Sequence, residues 1–220
     1  EYINSIDSST KLKEFFNTPL LTCLIVFVIA FLQVYLVVPN ITKVVKRRKL
    51  NDIPDQRSSH QAPTPTMAGV AFFFALIFSL FLIQKFDNQQ VAISMIASTS
   101  LIFLVALKDD LVTVRPSIKI ITEIFSIIVL MYFTDFPVLN FHGFLGLNQL
   151  PLPVSYLIVL IGMLGIINSY NLIDGIDGLA AIIAMIIFSS FGLIFIITGD
   201  LWFYVLICSS FVGMLGAFLI

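Results

Sequence analysis

The residues best suited to chemistry are amides and carboxylates placed at steps of three, Asn168, Asn171, Asp174 and Asp177, and they stand between two long apolar segments. Charge at membrane depth is costly unless it is paired, hydrated or bound to a metal, so this run predicts a functional site. A straight helix would rotate about 180° from the first to the last of these residues. We therefore expect a helix break at Gly175 and Gly178. A polar turn between helices, with Asp177 capping the second one, is the alternative, but it leaves the other three residues unexplained.

A second acidic pair, Asp109-Asp110, ends another apolar run. Neighbouring carboxylates repel each other, and a divalent cation removes that cost. Adjacent helical residues point about 100° apart, so the helix end must bend if both are to hold one ion. A solvated helix end with Lys108 as partner is the plainer interpretation. Two acidic clusters at two helix ends nevertheless indicate a shared cation.

A polar loop over residues 52–69 contains Arg57, His60 and Thr66 and leads into a helix near Ala68. The free N–H groups of a helix N-terminus are suited to a phosphate. For His60, a ligand contact and an ordinary basic loop both remain open. Lys119 begins a later helix and could either meet a phosphate or pair with Glu123 at i,i+4.

Composition predicts a polytopic membrane protein, because 59% of the residues are hydrophobic and only 11% are charged, where a soluble domain has about 25% charged residues. The net charge of −1 gives no general attraction to nucleic acid. Cys23 and Cys208 both lie in apolar runs and are expected to be buried thiols, not a disulfide.

The predicted fold is an all-α transmembrane bundle forming one integral membrane domain over residues 1–220. Spans of about 20 apolar residues cross a bilayer. Seven segments approach that length: 19–39, 67–84, 91–107, 117–133, 153–171, 178–197 and 201–220.

The basic residues predict the orientation, because positively charged loops stay in the cytoplasm. Of the twelve Lys and Arg residues, nine fall in the 40–66 loop or near residues 108–119. Threading seven spans from an outside N-terminus makes 40–66 a cytoplasmic loop and 134–152 an external one. Both acidic clusters then face the cytoplasm.

Taken in order, the His-x-x-Pro-Thr-Pro loop, the Asp-Asp pair with a downstream Lys, and the Asn-Leu-Ile-Asp-Gly-Ile-Asp-Gly-Leu-Ala run resemble the polyprenyl-phosphate N-acetylhexosamine-1-phosphate transferases. The resemblance covers about residues 20–220. The form of the loop is more similar to the branch acting on undecaprenyl phosphate and GlcNAc-1-phosphate than to the MurNAc-pentapeptide branch. Ala68 departs from the family, which usually has the first Gly of a pair there.

The resemblance implies transfer of an N-acetylhexosamine-1-phosphate from a UDP-sugar to undecaprenyl phosphate, with release of UMP, in the bacterial inner membrane. It implies catalytic roles for Asp109, Asp110, Asp174 and Asp177, of which the last three would hold Mg²⁺, with Mn²⁺ as a substitute. It also implies that five polar residues contact the substrates: His60, Thr66, Lys119, Asn168 and Asn171. The bilayer is a further partner, and a homodimer is left open.

Other members carry a further metal-binding Asp and a His-rich loop beyond the stretch that this chain matches. We therefore expect a C-terminally incomplete chain that is inactive alone. The sequence leaves the sugar open, including UDP-FucNAc and UDP-QuiNAc as donors, and leaves one-step and covalent routes open. A cation-coupled transporter or channel, and a non-catalytic assembly protein, are the competing functions.

Overall fold

A computed structural model describes residues 19–48, 51–52, 64–65, 67–83, 88–134, 139–173, 178–199 and 201–220. Within these ranges the chain forms seven α-helices, which confirms the predicted all-α bundle. Their bounds are α1 Pro19–Arg48, α2 Ala68–Ile83, α3 Gln89–Leu111, α4 Pro116–Phe133, α5 Leu152–Ile173, α6 Leu179–Thr198 and α7 Trp202–Phe218.

Five of these helices, all except α2 and α7, are long and apolar enough to cross a membrane. The two shorter helices supply much of the core, where they pack with α1. Small side chains let the backbones approach closely there, as is usual where helices pack inside a membrane. Ala30 and Ala75 are fully buried, and a Cβ on Gly213 would lie 2.5 Å from the carbonyl oxygen of Phe27. Cys208 is buried, Cys23 is partly so, and both thiols are free.

The first helix is longer than the sequence analysis predicted. It continues through Pro39 to Arg48, whereas we expected a loop from residue 40. Thirty residues at about 1.5 Å each span about 45 Å, which exceeds a hydrocarbon core of about 30 Å. The basic end of α1 can therefore extend beyond the apolar layer, where a proline is tolerated because water can satisfy the unpaired carbonyl.

A short strand pair follows α1. Strand β1 (Asn51–Asp52) pairs antiparallel with strand β2 (Thr64–Pro65), and β2 contacts α1. The intervening residues 53–63, which include His60, and the adjoining Thr66 lie outside the described residues.

Because short connections place consecutive helices antiparallel, we infer that the connections alternate between two ends of the bundle. One end then has the strand pair, the α3–α4 turn, the end of α5 and the beginning of α6. The opposite end holds the segment between α4 and α5, where Asn140 bridges to Gln149 around a 3₁₀ turn at Phe144–Gly146. We call the first the acidic end, because Asp109 and Asp110 lie there.

Candidate functional site

The turn between α3 and α4 is organised by Asp109. One carboxylate oxygen of Asp109 accepts a hydrogen bond from the Val114 backbone N–H at 2.8 Å. The other lies 2.5 Å from the ammonium of Lys119. Pro116 at the first helical position of α4 suits this turn, because a proline there sacrifices no helical hydrogen bond. Asp109 thus joins the last turn of α3 to the first turn of α4.

The structure gives Lys119 a protein partner that the sequence analysis did not consider. The ammonium pairs with Asp109 across the turn, and the alternative pairing with Glu123 at i,i+4 is wrong. Lys108, considered as the partner of the acidic pair, is an exposed residue of the same last turn. The α3–α4 turn therefore presents a lysine already balanced by one carboxylate.

Asp110 is an exposed residue one position before the end of α3. Neighbouring helical positions diverge by about 100°, and Asp109 is the one committed to Val114 and Lys119. The two members of the acidic pair consequently occupy different environments, although they are identical neighbours in the sequence.

The amide and carboxylate run spans a break between two helices, as predicted. Helix α5 ends at Ile173, and α6 begins at Leu179 after Gly178 in the left-handed region with φ +74°. Side chains other than glycine are strained in that conformation. Asp174 and Asp177 lie outside the described residues, so their predicted roles stay predictions.

Asn168 and Asn171 lie in the last turns of α5 as exposed residues. The amide nitrogen of Asn168 donates to the carbonyl of Leu164 at 2.9 Å and to Oε2 of Glu123 at 3.1 Å. A side-chain amide has two N–H donors, so both are committed within the protein. The oxygen of Asn168 is the group left to accept a bond from a ligand.

Glu123 is a site residue that the sequence analysis missed. It is 8% exposed and lies on the buried face of α4 with Ser126 and Ile127. The sequence could have indicated it, because Glu123 is an acidic residue inside the predicted span 117–133. We considered it only as a partner for Lys119.

A tyrosine also connects the two sides of the helix break. The hydroxyl of Tyr170 in α5 donates to the carbonyl of Ala180 in the first turn of α6. This bond holds together the two helix ends from which the segment 174–177 extends. Nothing in the sequence spacing pointed to it, because the contact depends on the angle between the helices.

The entry to α2 carries a backbone outlier. Met67 has φ +76°, and its carbonyl accepts from the N–H of Val70 at 3.1 Å. A positive φ is uncommon for a long side chain and costs roughly 1–3 kcal/mol. The predicted phosphate-binding loop therefore enters its helix through a strained residue.

Among the described residues, no three His, Cys, Asp or Glu side chains cluster as a metal site. Of the three predicted ligands, Asp110 alone is described. A carboxylate is the type of ligand that Mg²⁺ prefers, and the exposure of Asp110 is compatible with an ion shared between the protein and a soluble phosphate.

Residues 91–220 match the sequence model of Glycosyl transferase family 4. The match covers more than half of the chain and runs from α3 to α7, so it includes both acidic clusters but not the loop with His60 and Thr66. A search of curated proteins finds no match.

Proposed function

This chain belongs to glycosyl transferase family 4, and on that premise we propose that it transfers an N-acetylhexosamine-1-phosphate from a UDP-sugar to undecaprenyl phosphate. GlcNAc-1-phosphate is the group favoured by the Asp-Ile-Pro-Asp-x-Arg-Ser-Ser-His form of the loop over residues 52–60. The product would start a lipid-linked glycan of the bacterial cell envelope, at the cytoplasmic face of the inner membrane.

The contact between Asn168 and Glu123 is the observation that carries this proposal. It joins α5, which leads into the amide and carboxylate run, to α4, whose Lys119 binds Asp109. A hydrogen bond thus connects the helices that carry two polar clusters 58 residues apart in sequence, counted from Asp110 to Asn168, which supports a shared site at one end of the apolar bundle. Such a place suits a reaction between a soluble nucleotide and a membrane-bound phosphate.

The chemistry needs charge neutralisation more than a strong base. An oxygen of the lipid phosphate attacks the phosphorus that bears the sugar, the bond from that phosphorus to the bridging oxygen breaks, and UMP leaves. The second pKa of a phosphate monoester is about 6, so the attacking group is largely ionised at pH 7. Phosphoryl transfer then depends on in-line positioning and electrostatic stabilisation.

Each polar residue has a proposed role. Mg²⁺ held by Asp110, Asp174 and Asp177 would neutralise the diphosphate. Lys119 would contact a phosphate, and Asp109 would orient the lipid phosphate. Substrate contacts are proposed for the remaining polar residues, His60, Thr66, Asn168 and Asn171.

The position of the acidic pair favours a transferase over a cation-coupled transporter. Transporter sites typically lie near the bilayer midplane in discontinuous helices. Asp109 and Asp110 instead lie in the last turn of α3, within three residues of its end at Leu111.

The test is a transfer assay on membranes that express the complete gene, with UDP-GlcNAc, undecaprenyl phosphate and Mg²⁺, and with the 220-residue chain assayed beside it. We expect Mg²⁺-dependent UMP release, which Asp110→Asn lowers about 100-fold, the range for loss of one electrostatic group in an active site. Asp87→Asn, which changes the carboxylate preceding α3, is the matched control and should retain wild-type activity.

Two outcomes would contradict the proposal. Absence of turnover with every UDP-N-acetylhexosamine, while the protein drives ion flux in proteoliposomes, would favour the transporter. Normal turnover in Asp110→Asn would remove that residue from the site.

A further inference from the structure

We propose that Glu123 is a positioning residue, which holds the site end of α5 through Asn168 and thereby aligns Asn168 and Asn171 with the Asp109–Lys119 pair. The inference rests on the proposed function for its kinetic readout. It assigns a role to a carboxylate whose hydrogen-bond partner is Asn168 in α5.

The environment of Glu123 is unusual for a carboxylate. It is 8% exposed in an apolar helix, and the partner found for it is the neutral amide of Asn168 at 3.1 Å. Among the described residues, no Lys, Arg or His forms an ion pair with Glu123; Lys119, four positions earlier, is bound to Asp109.

A carboxylate here is not needed for packing. Replacing buried charged groups by apolar ones of similar volume is often neutral or stabilising. A leucine at position 123 would fill the face that α4 buries with Ile127 and Met131. An ionisable group retained inside an apolar helix is by default a functional hypothesis with its partner named. The partner here is Asn168.

Helix α5 depends on polar contacts for its position. Its one buried residue among those described is Ser155, close to its beginning, where the hydroxyl accepts from the N–H of Leu139 at 3.2 Å. At the other end Leu172 is 84% exposed, and no apolar side chain among the described residues of α5 is buried. The bond from Asn168 to Glu123 and the bond from Tyr170 to Ala180 therefore fix the end that enters the site.

Helix α4 acts as the common support for both clusters. Lys119 binds α3 and Glu123 binds α5, and the two residues are separated by one turn, about 6 Å along the axis. A shift of α5 against α4 would change the distance from Asn171 to Asp109 directly. Small misplacements of this kind can lower a rate strongly, because the reacting groups must be held in line.

The experiment compares Glu123→Leu, Glu123→Gln, Asn168→Leu and the double variant Glu123→Leu/Asn168→Leu in the transfer assay. We expect Glu123→Leu to lower kcat at least tenfold while the melting temperature in detergent stays at or above that of the wild type. Glu123→Gln keeps an oxygen acceptor and should retain most of the activity. The double variant should be no slower than Asn168→Leu alone, because both changes break one bond.

The control is Ser126→Ala on the same buried face. The hydroxyl of Ser126 is buried without a partner among the described residues, so its removal should leave kcat unchanged. Wild-type kcat in Glu123→Leu, an equal loss in Glu123→Gln, or additive losses in the double variant would each overturn the inference.

A second measurement does not depend on turnover. Spin labels at Thr113→Cys and Leu172→Cys, in a Cys23→Ala/Cys208→Ala background, report the distance from the α3–α4 turn to the end of α5. Glu123→Leu should broaden or shift that distance distribution, and Glu123→Gln should not. An unchanged distribution in Glu123→Leu would refute the positioning role. Absence of transfer by the wild type would refute the proposed function alone.

Discussion

Lys119 illustrates how one contact can combine a structural and a chemical role. Its ammonium and the carboxylate of Asp109 are 44% and 29% exposed. Ion pairs in such partly exposed positions contribute about 0–1 kcal/mol to stability. The pair is therefore too weak to be essential for folding, and a large effect of its removal on activity has to come from the substrate.

The first prediction concerns this lysine. Lys119→Met should lower the free energy of unfolding by less than about 1 kcal/mol, and transfer activity by tenfold or more, because a phosphate loses its cation. Lys119→Arg preserves the charge and should retain a measurable part of the activity. Melting temperature in detergent and initial rates of UMP release measure the two effects.

Lys108→Met provides the control, since it removes an exposed lysine from the neighbouring turn. A loss of activity in Lys119→Met that is matched by Lys108→Met would point to general electrostatics of the acidic end. A severe loss of stability would indicate that the pair serves the fold.

The helices divide into a packed group and a loosely held one. Helices α1, α2 and α7 share the main core, where the hydroxyl of Ser210 donates to that of Ser79 at 2.7 Å. Helix α5 contributes almost nothing to any core. Because a few hydrogen bonds connect α5 to the rest of the bundle, those bonds decide where α5 lies relative to the site.

Close approach between α1 and α7 gives a prediction about stability. Gly213→Ala would place a Cβ 2.5 Å from the Phe27 carbonyl oxygen, so the two backbones must move apart. Overpacking of this kind costs about 1–3 kcal/mol, and we expect a lower melting temperature in detergent.

Gly216→Ala is the matched control one turn along the same helix. There the nearest atom to an added Cβ is 3.9 Å away, in the flexible side chain of Phe31. This variant should keep the wild-type melting temperature. Equal melting temperatures for both variants would contradict the close packing of α1 on α7.

At the scale of the whole bundle, polar residues lie at two opposite ends. The α3–α4 turn lies at the acidic end, and the bridge from Asn140 to Gln149 lies at the other. Single cysteines at Thr113 and Asn140, in the Cys23→Ala/Cys208→Ala background, should therefore react with an impermeant maleimide from opposite sides of the membrane.

We expect Thr113→Cys to be labelled from the cytoplasmic side, in accordance with the bias of Lys and Arg. Labelling of both positions from one side would contradict the helix order. Labelling of Thr113→Cys only from the outside would contradict the proposed orientation and the access of a cytoplasmic UDP-sugar.

The sequence by itself determined the helices, because a chain inside lipid must satisfy its backbone hydrogen bonds within each apolar segment. That constraint is local, so the seven apolar helices and the break before Gly178 could be predicted from residue types, although five of the helices, and not seven, are long enough to count as candidate spans. The backbone constraint did not predict the end of α1. That helix continues through Pro39 because its last turns lie beyond the apolar layer, where a proline is tolerated. Side chains in a local run, such as Asp109-Asp110, could likewise be identified without a structure.

Tertiary structure decided which residues meet. Lys119 had an acidic neighbour one turn away in Glu123, yet it binds Asp109, because the α3–α4 turn brings that carboxylate closer. Glu123 is left to Asn168, 45 residues further along the chain. Such pairings follow from the order and spacing of packed helices, a property of the whole bundle that no single segment contains. The sequence supplied the chemical groups, and the packing of α4 between α3 and α5 decided how they are paired.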